Sequence, residues 1–304
     1  MITFLFPFVG VYKHVVRVNI GMTNRNGVVG HEQYAKIFGT ARELFGLDRI
    51  PSFAEEAGKI YLLKTCEAQY KYFDNFVFGD VILAVIRVTE VNGASVCLQC
   101  SFVNKKTKKI HAVGKQLVAY ADVSGKPKRL PFWLRCLNKI ICSKNNENFE
   151  SCPSKLKGHA IFRTEMLVTT EMTNAEKNVS HDEFPKIVSR AIEEHALRFN
   201  NNNPNGIEAL DVVGAAYTYK RDFYFGDKIV VILSAEHAPG RIIYWARLEN
   251  ENGEIRSYCM QAVRIPEARV VVPPKLIEAS PEASPLAIKP PEIANQLKPV
   301  TEWP

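Results

Sequence analysis

One segment of this chain occurs twice, and that repetition limits the possible folds more than any other property. Met22-Thr23-Asn24 opens the first copy, which runs through Gly27, Val28, Val29, Gly30, His31, Glu32 and Tyr34 toward Gly46. Met172-Thr173-Asn174 opens the second, followed by Val179, His181, Asp182, Phe184, Ile187, Ala191 and Glu193, at a constant offset of 150 residues with no gap. Later blocks repeat in the same order. Ala68-Gln69-Tyr70-Lys71-Tyr72 and Phe78-Gly79-Asp80 match Ala215-Ala216-Tyr217-Thr218-Tyr219 and Phe225-Gly226-Asp227, and Gln116 matches Gln261. Ordered self-similarity of this kind marks a tandem duplication of one domain. A chain of 304 residues can give each copy its own core.

Periodicity predicts the elements of each copy. Val15 to Ile20 reads as a strand. From His31, the apolar residues Tyr34, Ile37, Phe38, Ala41, Leu44 and Phe45 recur at spacings of three and four, the stripe of an amphipathic helix. Glu32 suits the positive end of that helix and Gly46 its C′ stop. In the second copy Phe184, Ile187, Val188 and Ala191 repeat the stripe, Ser180 and Glu183 resemble a capping box, and Pro185 places the helix start near Asp182. Strands are expected over 60–72, 80–91, 94–104 and 110–123. The nearly continuous apolar run from Asp80 to Val88 suggests one face on the helix and the other on a second sheet. The reading is α+β: two units, each a long helix in a curved antiparallel sheet. Boundaries are expected at 1–130 and 158–266, with a polar linker over 131–157 and a proline-rich arm over 267–304.

Composition matters mainly for what it excludes. The net charge of +7 includes Lys105, Lys106, Lys108 and Lys109 on one expected hairpin. That run reads as a solvated turn, with attraction of a phosphate-bearing or acidic partner as the functional alternative. Basic residues are not interleaved with aromatics along one face, so no nucleic-acid partner is expected. Seven cysteines at irregular spacing argue for a reducing compartment. Cys97 and Cys100 lie in a strand-like run where residues three apart face opposite ways, so zinc is not expected there, and the sequence implies no metal or cofactor elsewhere. The opening apolar run lacks the marks of a signal peptide and no segment is long enough to span a bilayer. The expected location is the cytoplasm, away from membranes.

The order of elements, with Gly-Asp opening the third strand, resembles the hotdog fold, and the repeated segment resembles the 4-hydroxybenzoyl-CoA thioesterase group. Thr23, Gly27, Val28, Val29, His31 and Tyr34 stand at that group's signature positions, while Asn24 stands where its catalytic aspartate would be. Gly39-Thr40-Ala41-Arg42-Glu43-Leu44-Phe45 is similar to the helix of enediyne polyketide thioesterases, which also read Thr-Asn. The resemblance implies acyl-thioester hydrolysis, two units pairing so that their sheets run together, and a site at their seam. A tandem chain would form that pair internally, with a further homodimer left open.

Chemistry can then be placed on residues. Backbone N–H groups near Gly27, Val28, Val29 and Gly30 and the helix dipole could stabilise an oxyanion. Asn24 could hold water or the carbonyl, but cannot accept a proton as aspartate does. Arg42 would orient substrate or pair with a nearby carboxylate. His31, recurring as His181, would act as base, bind the carbonyl, or simply hydrogen-bond in the helix's first turn. Tyr34, whose counterpart is Phe184, belongs to the core or the pocket wall. The second copy replaces Gly27 by Lys177 and Arg42 by Ile192, so the first is expected to keep the working site while Asn174 and His181 help to wall it. The substrate is expected to be a thioester of coenzyme A or acyl carrier protein. Against this stand a non-catalytic acyl-binding scaffold, favoured by the missing aspartate, and a hotdog dehydratase, for which no histidine–acid pair is found.

Overall fold

The computed structural model describes residues 11–49, 61–122, 128–130, 149–174, 177–199 and 210–265. Its first half runs β1 (Val11–Arg17), a single 3-10 turn at Ile20–Met22, α1 (His31–Arg49), β2 (Tyr61–Tyr72), β3 (Val81–Val91), β4 (Ser95–Asn104) and β5 (Ile110–Asp122). The second half repeats this order as β6 (Phe162–Leu167), a 3-10 turn at Thr170–Met172, α2 (Phe184–Phe199), β7 (Val212–Tyr219), β8 (Lys228–Ala238), β9 (Arg241–Glu249) and β10 (Ile255–Arg264).

The ten described strands join one antiparallel sheet in the order β1-β3-β4-β5-β2-β7-β10-β9-β8-β6. The halves meet at β2 and β7, where Ala68 pairs with Tyr217, Gln69 with Ala216 and Tyr70 with Ala215. Ala68 and Ala215 are repeat equivalents, as are Tyr70 and Tyr217, so the pairing has an internal twofold axis at the Gln69–Ala216 pair. Intramolecular pairing of the repeats is therefore realised through backbone hydrogen bonds.

Each helix lies on one face of the sheet because its apolar stripe matches the alternation of the strands. Along β3, Ile82, Ala84, Ile86 and Val88 are buried while the residues between them are half-exposed. Tyr34 packs edge-on to Tyr72 and Phe102, each with ring centroids 5.1 Å away. Phe38 approaches so closely that a Cβ at Gly114 would stand 3.1 Å from its ring and 3.0 Å from that of Tyr70. Each large apolar side chain buried in this way contributes about 1.5–3 kcal/mol relative to exposure.

Several expectations need correction. No second sheet covers β3: its outward face is half-exposed because all described strands belong to a single sheet. The first strand begins and ends earlier than the valine run suggested, and the 3-10 turn takes Ile20. Gly46 does not stop α1, since it lacks the positive φ of a C′ glycine and the helix continues to Arg49. The second helix begins at Phe184, with Pro185 in its first turn, and the Ser180 hydroxyl donates to the Asp182 carboxylate rather than capping position Glu183. Of the expected linker, residues 149–157 are packed against the sheet. Cys152 and Leu156 pack on Ala216, Trp245, Met260 and Ala262, the Thr218 hydroxyl donates to Pro153 C=O at 2.6 Å, and Lys157 Nζ stands 4.1 Å from the Trp245 ring centroid. Most of the linker, 131–148, and the arm at 267–304 lie outside the described residues. The lysine run forms an exposed turn in which Lys109 pairs with Asp74 at 2.7 Å.

Candidate active site

The repeated Met-Thr-Asn segment forms a tight turn ahead of α1. Asn24 N–H donates to Val28 C=O at 2.8 Å and Gly27 N–H to Asn24 C=O at 2.9 Å. Gly27 has φ +73°, in the left-handed region, and nothing lies within 4 Å of the Cβ position it lacks. Its counterpart Lys177 adopts φ 62°, so the second copy keeps this turn without the glycine. Asn24 Oδ1 accepts from Asn26 N–H at 3.0 Å and Val28 N–H at 3.4 Å, and Asn174 Oδ1 accepts from Asn178 N–H at 3.3 Å. Val29 N–H donates to Phe76 C=O and Gly30 N–H to Met22 C=O. The expectation of free N–H groups from Gly27 to Gly30 is therefore overturned, because turn and sheet use all four. The donors at this end are the helix's own first N–H groups, at His31 and Glu32.

The His31 ring crosses to the other repeat. Its Nε2 lies 3.1 Å from Ser189 Oγ on α2 and 3.3 Å from Gln261 Nε2 on β10. The Ser189 hydroxyl also reaches Gln261 Oε1 at 3.1 Å, and Gln261 Nε2 donates to Tyr217 Oη at 3.0 Å and Pro185 C=O at 3.2 Å. On the opposite edge of the ring, Nδ1 stands 3.6 Å from Glu32 Oε2. The Glu32 carboxylate folds back into the space that a side chain at Gly30 would fill. Burial holds the His31 pKa below its ordinary 6.5, against the opposing pull of Glu32 and Pro185 C=O. Glu193, one turn beyond Ser189, has its carboxyl pKa raised by burial, with Arg25 opposing and Glu32 reinforcing the shift.

The internal twofold builds a second cluster from the opposite halves, and its chemistry differs. Here His181 from the second repeat lies against α1 where Gly39 replaces the serine, so close that a Cβ at Gly39 would be 3.1 Å from its Cε1. Arg42 is 5 % exposed, and its Nη1 donates to Thr65 Oγ1 at 2.7 Å and Gln116 Oε1 at 3.0 Å. Gln116 Nε2 donates to Tyr70 Oη at 2.9 Å, the counterpart of the Gln261–Tyr217 bond. Arg42 Nε and His181 Nε2 are both buried without a hydrogen-bond partner among the described residues. Burial first and the Arg42 charge second push His181 down to about 3, so it stays neutral at ordinary pH.

The expected site residues are thus divided between two seam clusters. His31 belongs with Ser189 and Gln261; Arg42 belongs with His181, Thr65 and Gln116. Each cluster takes its histidine from one repeat and its helix face from the other, so the second repeat contributes more than the wall expected of it. Neither partner of the Arg42 Nη1 group is a carboxylate; one is a hydroxyl and the other an amide. Tyr34 and Val29 are core residues, at 1 % and 3 % exposure, while Val28 is half-buried. Ser189 and Thr65 were not expected at these clusters because nothing local marks them, whereas Glu193 carried a signal in its match to Glu43. Gln116 and Gln261 carried a signal, their equivalence in the repeat.

One continuous sheet carrying the two described helices, with each half repeating the same strand order, defines a tandem hotdog protein. Residues 18–136, covering the first repeat, match the model of the thioesterase-like superfamily. The chain is thus a tandem double hotdog. It is similar in fold to an acyl-ACP thioesterase from Bacteroides thetaiotaomicron, with 10 % identity and TM-score 0.66 over 84 % of this chain and 98 % of that one. It is also similar to the 12:0-ACP thioesterase from Umbellularia californica, with 8 % identity and TM-score 0.69 over 84 % and 94 %. The dynemicin thioesterase aligns over 42 % of this chain and 95 % of its own at 22 % identity, with TM-score 0.40. No curated protein sequence matches the chain. No described helix is long and apolar enough to cross a membrane.

Proposed function

We propose that this protein hydrolyses acyl thioesters of coenzyme A or an acyl carrier protein at the His31 seam, without a carboxylate at the usual catalytic position. The observation that carries this reading is the placement of His31 Nε2 against α2 of the other repeat, with Glu32 on the far edge of the ring. Glu32 favours the tautomer with hydrogen on Nδ1, leaving Nε2 free to accept a proton from an attacking oxygen. The depressed pKa keeps that nitrogen unprotonated at neutral pH. Proton removal of this kind contributes about 10²–10⁴ in rate. The first N–H groups and dipole of α1 are suited to a carbonyl oxygen gaining negative charge. Asn24 shapes the entry turn through its Oδ1 bonds.

A second reading, acyl binding without turnover, is favoured by two observations: asparagine replaces aspartate in both copies, and the Gly27–Gly30 N–H groups are used internally. Release of free thiol from a panel of acyl-CoA and acyl-carrier-protein thioesters separates the two. Turnover by the native protein that falls at least about 10²-fold in His31→Gln supports hydrolysis. Absence of turnover with retained binding leaves the acyl-binding role.

A further inference from the structure

A serine within a helix ordinarily turns its hydroxyl back to the carbonyl four residues earlier. For Ser189 that carbonyl is Pro185, which instead accepts from Gln261 Nε2 at 3.2 Å. The Ser189 hydroxyl is directed across the seam, 3.1 Å from His31 Nε2 and 3.1 Å from Gln261 Oε1. Behind the ring, Glu32 Oε2 stands 3.6 Å from Nδ1. A hydroxyl, an imidazole and a carboxylate are thus ranged in order, each within or just beyond hydrogen-bond reach of the next. This is the arrangement by which a base activates a serine and an acid fixes the base. Hydrogen bonds in such sites commonly tighten when substrate binds.

The other seam lacks this arrangement. Gly39 occupies the position equivalent to Ser189 and its missing side chain leaves room for the His181 ring. Where the second repeat has Ile192, the first has the buried Arg42. Duplication has left one seam with a hydroxyl and the other with a cation.

We propose that Ser189 is the nucleophile of this thioesterase and that hydrolysis passes through an acyl ester on its Oγ, with His31 as base and Glu32 as its orienting acid. The inference rests on the thioesterase reading above. Ser189 Oγ attacks the thioester carbonyl carbon while its proton passes to His31 Nε2. The tetrahedral adduct breaks its C–S bond and the leaving thiolate takes that proton. A water then attacks the ester, His31 Nε2 receives the water's proton, and collapse returns it to Ser189 Oγ as the carboxylic acid leaves. The sum is thioester plus water giving acid plus thiol.

The test mixes native protein with excess acyl-CoA or acyl-carrier-protein thioester, stops the reaction with acid within the first turnover, and weighs the intact chain. The expected result is a mass gain of one acyl group, mapped to the peptide holding Ser189, with an initial burst approaching one thiol per chain. Ser189→Ala should remain folded, with at most a modest fall in melting temperature from the lost hydrogen bonds, yet lose the adduct and at least about 10²-fold of turnover, while Ser189→Cys should again form an acyl adduct. Turnover in Ser189→Ala within threefold of native, or native turnover with no adduct at any quench time, overturns the proposal and leaves the thioesterase reading standing. Native protein that releases no thiol from any thioester overturns that reading and the proposal with it.

Discussion

Gln116→Leu and Gln261→Leu make the same chemical change at twofold-related positions, both fully buried, yet they should differ in cost. Leucine nearly matches glutamine in volume, so hydrogen bonding dominates. Loss of Gln261 deprives Tyr217 Oη, Pro185 C=O and the Ser189 hydroxyl of a partner, but Ser189 keeps His31 and the carbonyl remains within a helix. About 1–3 kcal/mol is expected from groups left unsatisfied. Loss of Gln116 also strips an acceptor from the buried Arg42 guanidinium. A hydrogen bond to a charged group is worth about 1.5–3 kcal/mol and the neutral Tyr70 bond about 0.5–1.5 kcal/mol, so the expected cost is about 2–4.5 kcal/mol. Arg42→Met should recover part of that loss, since removing both partners spares the stranded charge. Urea unfolding of the two single variants and of Arg42→Met/Gln116→Leu at pH 7 measures all three. Equal costs for the two leucine variants, or no coupling between positions 42 and 116, would refute the reasoning.

His31→Gln should leave the fold intact and abolish most turnover. In native protein the rate should stay level through neutral pH and fall only on acidification below 6.5, as Nε2 becomes protonated, which a pH–rate profile would reveal. Gly27→Ala meets no steric obstacle, so only the left-handed backbone opposes it. A loss of about 1 kcal/mol is expected from equilibrium unfolding, and a loss above about 3 kcal/mol would contradict that account. His181 has its pKa depressed to about 3 in the folded state, so between pH 6.5 and 3 the unfolded chain binds more protons. Its stabilising effect is present above pH 6.5 and declines as pH falls through that window, at up to about 1.4 kcal/mol per unit. In His181→Gln, acid unfolding curves should be correspondingly flatter over that range.

Much of the fold was legible locally. Apolar patterning placed β2 to β5 to within a residue or two among the described positions, and in β3 it alternates because that strand buries one face against a helix. The missing second sheet could not be read in the same way: a half-exposed outer face rich in valine and leucine resembles a covered one. Gly46 misled because a glycine inside a packed helix and a glycine after its end are the same letter. The segment holding Cys152, Pro153 and Leu156 read as a polar linker, since its anchors on Trp245 and Thr218 lie far along the chain.

The sequence by itself determined the duplication, the helix and strand order of each copy, and the turn that leads into each helix. These depend on short-range periodicity and on glycine, asparagine and proline at fixed spacing. Only tertiary structure decided which side chains share a site. The twofold pairing of β2 with β7 carries each helix across the seam, so His31 meets Ser189 from 158 positions away while Arg42, eleven residues along the same helix, joins the opposite cluster. Proximity of that kind follows from how the two halves of one sheet join edge to edge, which no local pattern records.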